Sequence, residues 1–103
     1  MDPSLQIGWT TCGDLQTAER LSRQLVEQKL AACVQIEPEI RSFYLWEDTL
    51  QDEPECRLMI KFMAHRQSEL EAFLQAKHPY ETHEWVVVHP THVSEKYLKW
   101  AAS

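Results

Sequence analysis

Between Leu5 and Leu30 the spacing of apolar residues changes from two to about 3.6, and no single regular element accommodates both periods. Leu5, Ile7 and Trp9 alternate with Gln6, Gly8 and Thr10, the pattern of a half-buried strand. Ala18, Leu21, Leu25, Val26 and Leu30 then share one helical face, with Glu19, Arg20, Arg23, Glu27 and Lys29 mostly elsewhere. Gly13 breaks the strand, and Asp14 or Thr17 can cap the helix that follows. A strand that feeds a helix this way sends its chain back across a sheet, and such crossovers are right-handed.

The remaining segments complete a recognisable order. "AACVQIEPEIRSFYLW" is rich in β-branched and aromatic residues, and Pro38 makes it two strands or one strand bent at a bulge or edge, because proline cannot donate to a ladder. The polar "EDTLQDEPE" turns the chain into "CRLMIKFM", where Cys56, Leu58, Ile60 and Phe62 oppose Arg57, Met59, Lys61 and Met63. Two long antiparallel strands in a hairpin are expected. "SELEAFLQAKH" reads as a helix opened by a capping box, Ser68 with Glu71, and closed near Lys77 because Pro79 drives His78 out of the helical region. "EWVVVHP" reads as a buried strand and "SEKYLKWAAS" as a short terminal helix. The order βαββαβ plus a helix predicts an α+β, ferredoxin-like domain over residues 1–103: a four-stranded antiparallel sheet with two helices on one face. The other face would carry Met59, Met63 or the aromatics of "SFYLW", and an exposed apolar face predicts self-association.

Composition removes several function classes. A net charge of −6 without any block of Lys or Arg argues against a nucleic-acid or anionic-membrane partner, since phosphate neutralisation needs a basic face. Cys12, Cys33 and Cys56 form no C-x-x-C pair, so neither a disulfide framework nor a zinc ribbon is written here. No apolar run approaches the roughly 18 residues of a membrane helix, and the N-terminal "MDPSLQIGWT" lacks a signal-peptide core. A cytoplasmic protein with reduced thiols is expected. Only Gly8 and Gly13 are present, so there is no glycine-rich phosphate loop, and Ser42, Ser68 and Ser94 have no general base at recognisable spacing. The chain reads as a binding protein rather than an enzyme.

The densest chemistry lies in "HPYETHEW", residues 78–85. His78 and His83 are candidate metal ligands, because imidazole suits copper and zinc, provided Pro79-Tyr80 turns the chain sharply enough to bring them together. Glu84 is a poor third ligand, since neighbouring residues of an extended chain point to opposite sides. The plainer alternative has His78 capping helix carbonyls and His83 in solvent. His78 with Glu81 or Glu84 offers an acid/base dyad but no nucleophile beside it. His89 and His92 sit three apart in "HPTH", a surface turn. Trp9, Tyr44, Trp46, Tyr80, Trp85, Tyr97 and Trp100 are expected in core and interface, and Lys61 within "MIKFM" snorkels to an edge or supplies charge to a cleft.

"KLAACV" at 29–34, "SFYLW" at 42–46, "IKF" at 60–62, "HPYETHE" at 78–84 and "YLKW" at 97–100 occur in the order and spacing of the CutA divalent-cation tolerance family, which this chain resembles from about Ile7 to Trp100. The resemblance implies a ferredoxin-like subunit in a homotrimer similar to those of the PII signalling proteins, with clefts between subunits. It further implies divalent-cation tolerance through binding of Cu(II) or another divalent cation, with no organic cofactor and no established reaction. Thr10 and Lys77 stand where copper-binding members carry a cysteine and the first of two histidines, leaving His78 in register and His83 as an added imidazole. The usual Trp-x-Gly turn reads Trp46-Glu47-Asp48. Trp46 and Trp100 are expected to pack the trimer, and Lys61, Tyr80, Glu84 and Tyr97 to line the inter-subunit cleft. The alternative function is that of a PII-like sensor or scaffold, whose cleft takes a small anionic ligand while metal is incidental.

Overall fold

A computed structural model describes residues 4–103. The elements are β1 (Leu5–Cys12), α1 (Leu15–Glu27), β2 (Cys33–Trp46), β3 (Thr49–Met63), a 3-10 turn (Ala64–Arg66), α2 (Gln67–Lys77), β4 (Val86–Val88) and α3 (Glu95–Ala102). The four strands form one antiparallel sheet in the order β2-β3-β1-β4, the ferredoxin-like α+β arrangement expected from the period changes.

Local chemistry explains where the first helix begins and ends. Asp14 caps α1, accepting the Thr17 N–H at 2.7 Å and the Thr17 hydroxyl at 3.1 Å. At the other end Lys29 turns left-handed (φ 60°), while its N–H donates to Val26 O and the Leu30 N–H donates to Leu25 O. These two bonds are a Schellman motif, and buried Leu25 and Leu30 supply its apolar contact. Helix α2 departs from expectation. Arg66 precedes it without a side-chain cap, so the Ser68–Glu71 capping box does not form; the helix follows directly on the 3-10 turn and starts two residues early. Glu71 instead accepts from Gln67 Nε2 at 3.0 Å and from Trp85 Nε1 at 2.9 Å. The end of α2 at Lys77 agrees with the proline rule, since His78 is already extended (ψ 135°).

Directly opposed residues share a sheet face, so the register sorts the side chains. Gly8, Thr10, Cys12, Cys56, Leu58, Ile60 and Phe62 face α1 and α2, whose Leu21, Leu25, Leu70, Phe73 and Leu74 complete the main core. Leu5, Ile7 and Trp9 of β1 therefore point away from the two main helices. Leu5 and Met63 are covered by α3 through Ala101, Tyr97 and Leu98, so Met63 does not lie on an open face as the sequence suggested. Ile7, Trp9 and Met59 remain half-exposed.

Gly8 is required by close approach: a methyl group there would stand no more than 3.0 Å from three ring carbons of Trp85. The indole lies over β1 with its centroid 5.9 Å from that of Phe62. Trp85 thus anchors β4, which is a three-residue edge strand and not the buried strand expected from "EWVVVHP": Val86 is 52% exposed and Val88 40%. Pro38 resolves as a bulge on the other edge. Glu37 pairs with Arg57 and Ile40 with Glu55, so Pro38 and Glu39 together oppose Cys56. Beyond it the β2–β3 hairpin projects to a two-residue turn in which Glu47 (φ 51°) and Asp48 (φ 63°) are both left-handed. The molecule measures 45 × 26 × 22 Å as a result.

Candidate functional site

Residues 78–85 run from the end of α2 to the start of β4, across the end of the sheet where β1 finishes. His78 is buried there, and both its ring nitrogens are in use. Nε2 lies 2.8 Å from Thr11 O, and the Tyr80 N–H reaches Nδ1 at 3.0 Å. A carbonyl only accepts and an amide N–H only donates, so the ring is the neutral Nε2–H tautomer. Burial holds its pKa below the ordinary value of 6.5; the Thr11 bond opposes that shift, and His83 adds to it. His83 stacks on His78 with centroids 4.7 Å apart and planes 16° from parallel. The sharp turn needed to bring the two imidazoles together is therefore present. A metal on His78 would nonetheless have to displace one of two backbone hydrogen bonds, whereas His83 makes no ring hydrogen bond within the described residues. The His78 ring bonds to the strand β1, not to the helix carbonyls, and His83 is half-buried rather than in solvent.

On the other side of the same segment, alternate residues Tyr80, Thr82 and Glu84 join Thr11, Tyr44, Trp46, Gln51, Glu53 and Glu55 around a groove of about 650 Å³. The hairpin forms its outer wall because β2 and β3 extend well beyond the helix-covered sheet. Three of its residues are carboxylates and none is basic. Tyr80 Oη donates to Glu55 at 3.3 Å; burial first and the Glu55 charge second push its pKa up to about 12, so it remains a donor. Tyr44 is shifted upward as well, by burial and then by Glu53. Aromatic walls with carboxylates among them suit a cation, through charge and through the negative faces of the rings.

Of the expected cleft residues, Tyr80 and Glu84 line this groove, with Trp46 beside them. Lys61 and Tyr97 do not. They meet at the opposite end of the sheet, the Lys61 ammonium 5.5 Å from the Tyr97 ring centroid, because α3 packs over that end. Trp46 and Trp100 are 63% and 55% exposed in the single chain. Thr10 is fully buried, its hydroxyl without a hydrogen-bond partner, and Lys77 is exposed on the last turn of α2. His89 and His92 are exposed. Among the described residues no group of three His, Cys, Asp or Glu side chains is gathered closely enough to hold a metal ion within one chain. Glu53 and Glu55 were not singled out by sequence. Their signal was the alternation in "QDEPE", which places Gln51, Glu53 and Glu55 on one side of an extended strand. No helix among the described residues is long and apolar enough to cross a membrane.

Comparison with known proteins gives one consistent answer. The family model described as CutA1 divalent ion tolerance protein matches residues 6–103. "Divalent-cation tolerance protein CutA" of Pectobacterium atrosepticum is 38% identical over 90 residues, which are 87% of this chain and 82% of that protein. "Protein CutA homolog" of Xenopus laevis is 38% identical over 97 residues, 94% of this chain and 64% of the frog protein, so the chain spans less than two-thirds of that relative. Among solved structures, CutA from Synechococcus elongatus PCC7942 superposes with a TM-score of 0.92 at 32% identity, covering 96% of this chain and 88% of that one. CutA from Xylella fastidiosa gives 0.91 at 35% identity, covering 95% and 94%. With a family match over almost the whole length, relatives above 30% identity and the same arrangement of strands and helices, the chain belongs to the CutA1 divalent ion tolerance family.

Proposed function

We propose that this protein contributes to divalent-cation tolerance by binding the cation, copper(II) or another divalent ion, in the acidic groove between the hairpin and residues 80–84. The observation that carries this reading is the convergence of Glu53, Glu55 and Glu84 on one groove with no lysine or arginine in its lining. Carboxylates favour divalent cations by charge and supply oxygen ligands. One chain offers too few donors for a closed site, and the exposed apolar hairpin supports completion by neighbours in a homotrimer. Phe43, Leu45, Trp46 and Leu50 are 64%, 69%, 63% and 65% exposed, an arrangement that favours burial against another copy. Trp46 and Trp100 serve as packing residues in that assembly, in the cytoplasm, without a catalysed reaction.

In this reading the two imidazoles stand outside the groove, His83 lying on the other side of residues 80–84 and stacked on His78. A small anionic ligand in the cleft, as in a PII-like sensor, is disfavoured by the charge of the groove, and Lys61 is held away from it. Calorimetric titration with copper(II) and zinc(II) tests the assignment. The doubly substituted Glu55→Gln/Glu84→Gln protein is expected to lose at least tenfold in affinity, while His83→Ala keeps it. Full affinity in the double variant, with loss only in His78→Ala, would move the site to the imidazoles; saturation by nucleotides or polycarboxylates in place of metals would support the sensor.

A further inference from the structure

Cys12 and Cys56 are directly opposed partners at the last registered rung between β1 and β3. Opposed residues of an antiparallel pair project to the same face with Cβ atoms about 4.5–5.5 Å apart. Both belong to the main core, Cys12 with no exposed surface and Cys56 at 3%. Neither thiol bonds the other. Cys12 Sγ donates to Asp14 O at 3.6 Å, and Cys56 Sγ donates to Pro38 O at 3.2 Å across the bulge. Both sulfurs are free thiols, and the groove does not use them.

We propose that Cys12 and Cys56 form a two-thiolate site for mercury(II), a soft, thiophilic dication that two thiolates satisfy in linear coordination. Four physical points support it. The separation of the two Cβ atoms suits a bridge of two metal–sulfur bonds, each of roughly the 2.3 Å known for zinc–thiolate bonds. Each thiol gives up one proton, so one dication with two thiolates is neutral overall, and a neutral unit is what an apolar core accepts at least cost. Asp14 and Glu55 act electrostatically on both sulfurs, and Glu39 also acts on Cys56. Burial first, and then that negative field, holds both pKa values up, that of Cys12 to about 11. It disfavours bare thiolates, and hence thiolate-driven disulfide formation, but favours an entering cation. Access requires little opening, because the rung is the last of its ladder, next to Gly13 on one side and the Pro38 bulge on the other. A two-coordinate ion needs no third side chain. The groove carboxylates serve a different, oxygen-seeking ion, so the two sites stand or fall separately.

The test titrates mercury(II) into the reduced full chain, following thiolate-to-metal charge-transfer absorbance and native mass. One ion per chain is expected, with a mass gain equal to the metal minus two protons, unchanged in Cys33→Ala. Cys12→Ala and Cys56→Ala, checked by circular dichroism for folding, are each expected to lose at least a hundredfold in affinity in the presence of a competing monothiol. Because Cys12 is packed more tightly, Cys56→Ala keeps the test informative if Cys12→Ala does not fold. Loss of binding in Cys33→Ala, or displacement of only one proton, would overturn the proposal. So would a 2 Da mass loss without metal, the mark of a disulfide.

Discussion

The inner and outer halves of the β2–β3 hairpin are continuous in backbone and opposite in environment. From Cys56 to Phe62 the side chains of β3 alternate between buried and half-buried, with Leu58, Ile60 and Phe62 fully enclosed against α1 and α2. From Thr49 to Glu55 none is buried, yet the tip carries four large apolar residues, Phe43, Leu45, Trp46 and Leu50, all more than 60% exposed. Burial within the chain therefore stabilises the inner half, while the outer half gains its apolar burial only against another molecule. The same contrast separates the two chemistries: thiols lie beneath the inner end, and carboxylates line the outer wall.

Paired substitutions put the largest strain on that comparison. Phe62→Ala should destabilise the chain by about 3–5 kcal/mol through the cavity it leaves. Leu45→Ala should change the unfolding free energy of the isolated chain by no more than about 0.5 kcal/mol while weakening self-association in sedimentation. Comparable losses in denaturant unfolding of the isolated chain would show that the tip is part of the fold of a single chain. Gly8→Ala comes next, at about 1–3 kcal/mol, because the Trp85 ring has to shift from β1. A silent Gly8→Ala would mean that Trp85 does not hold β4. At the tip Asp48→Gly should stabilise by about 1 kcal/mol, since glycine accepts the left-handed φ of 63° without a Cβ penalty. Thermal unfolding would reveal either sign.

The smallest effect is a pH dependence. His78 binds its proton less readily in the folded chain than its ordinary pKa of 6.5 implies, chiefly because it is buried. Between those two values the unfolded chain holds more protons, so stability rises with pH there. The contribution is complete above about pH 6.5 and is lost as pH falls through the lowered folded value. His78→Gln should flatten that part of the stability curve, and an unchanged curve would show that other groups control it.

Legibility followed the range of the interactions. The first helix, the hairpin, the Pro38 irregularity and the end of α2 were readable because caps, periods and proline sterics act over a few residues. The Ser68–Glu71 box failed because Glu71 found better donors in Gln67 and, through tertiary folding, in Trp85. The buried strand at "EWVVVHP" proved an exposed edge, since hydrophobicity does not say which side of a sheet remains open. Within one chain Lys61 and Tyr97 meet at the opposite end of the sheet from Tyr80 and Glu84, a placement that local spacing does not encode.

The sequence by itself determined the βαββαβ order, the family and the presence of His78 and His83 at a helix-to-strand junction, because these depend on local period and spacing. Only the tertiary structure decided that His78 engages both nitrogens with backbone, that Glu53 and Glu55 join Glu84 across the hairpin, and that Cys12 faces Cys56. Each of those facts is a contact between residues distant in the chain, and strand register, not local preference, brings such residues together.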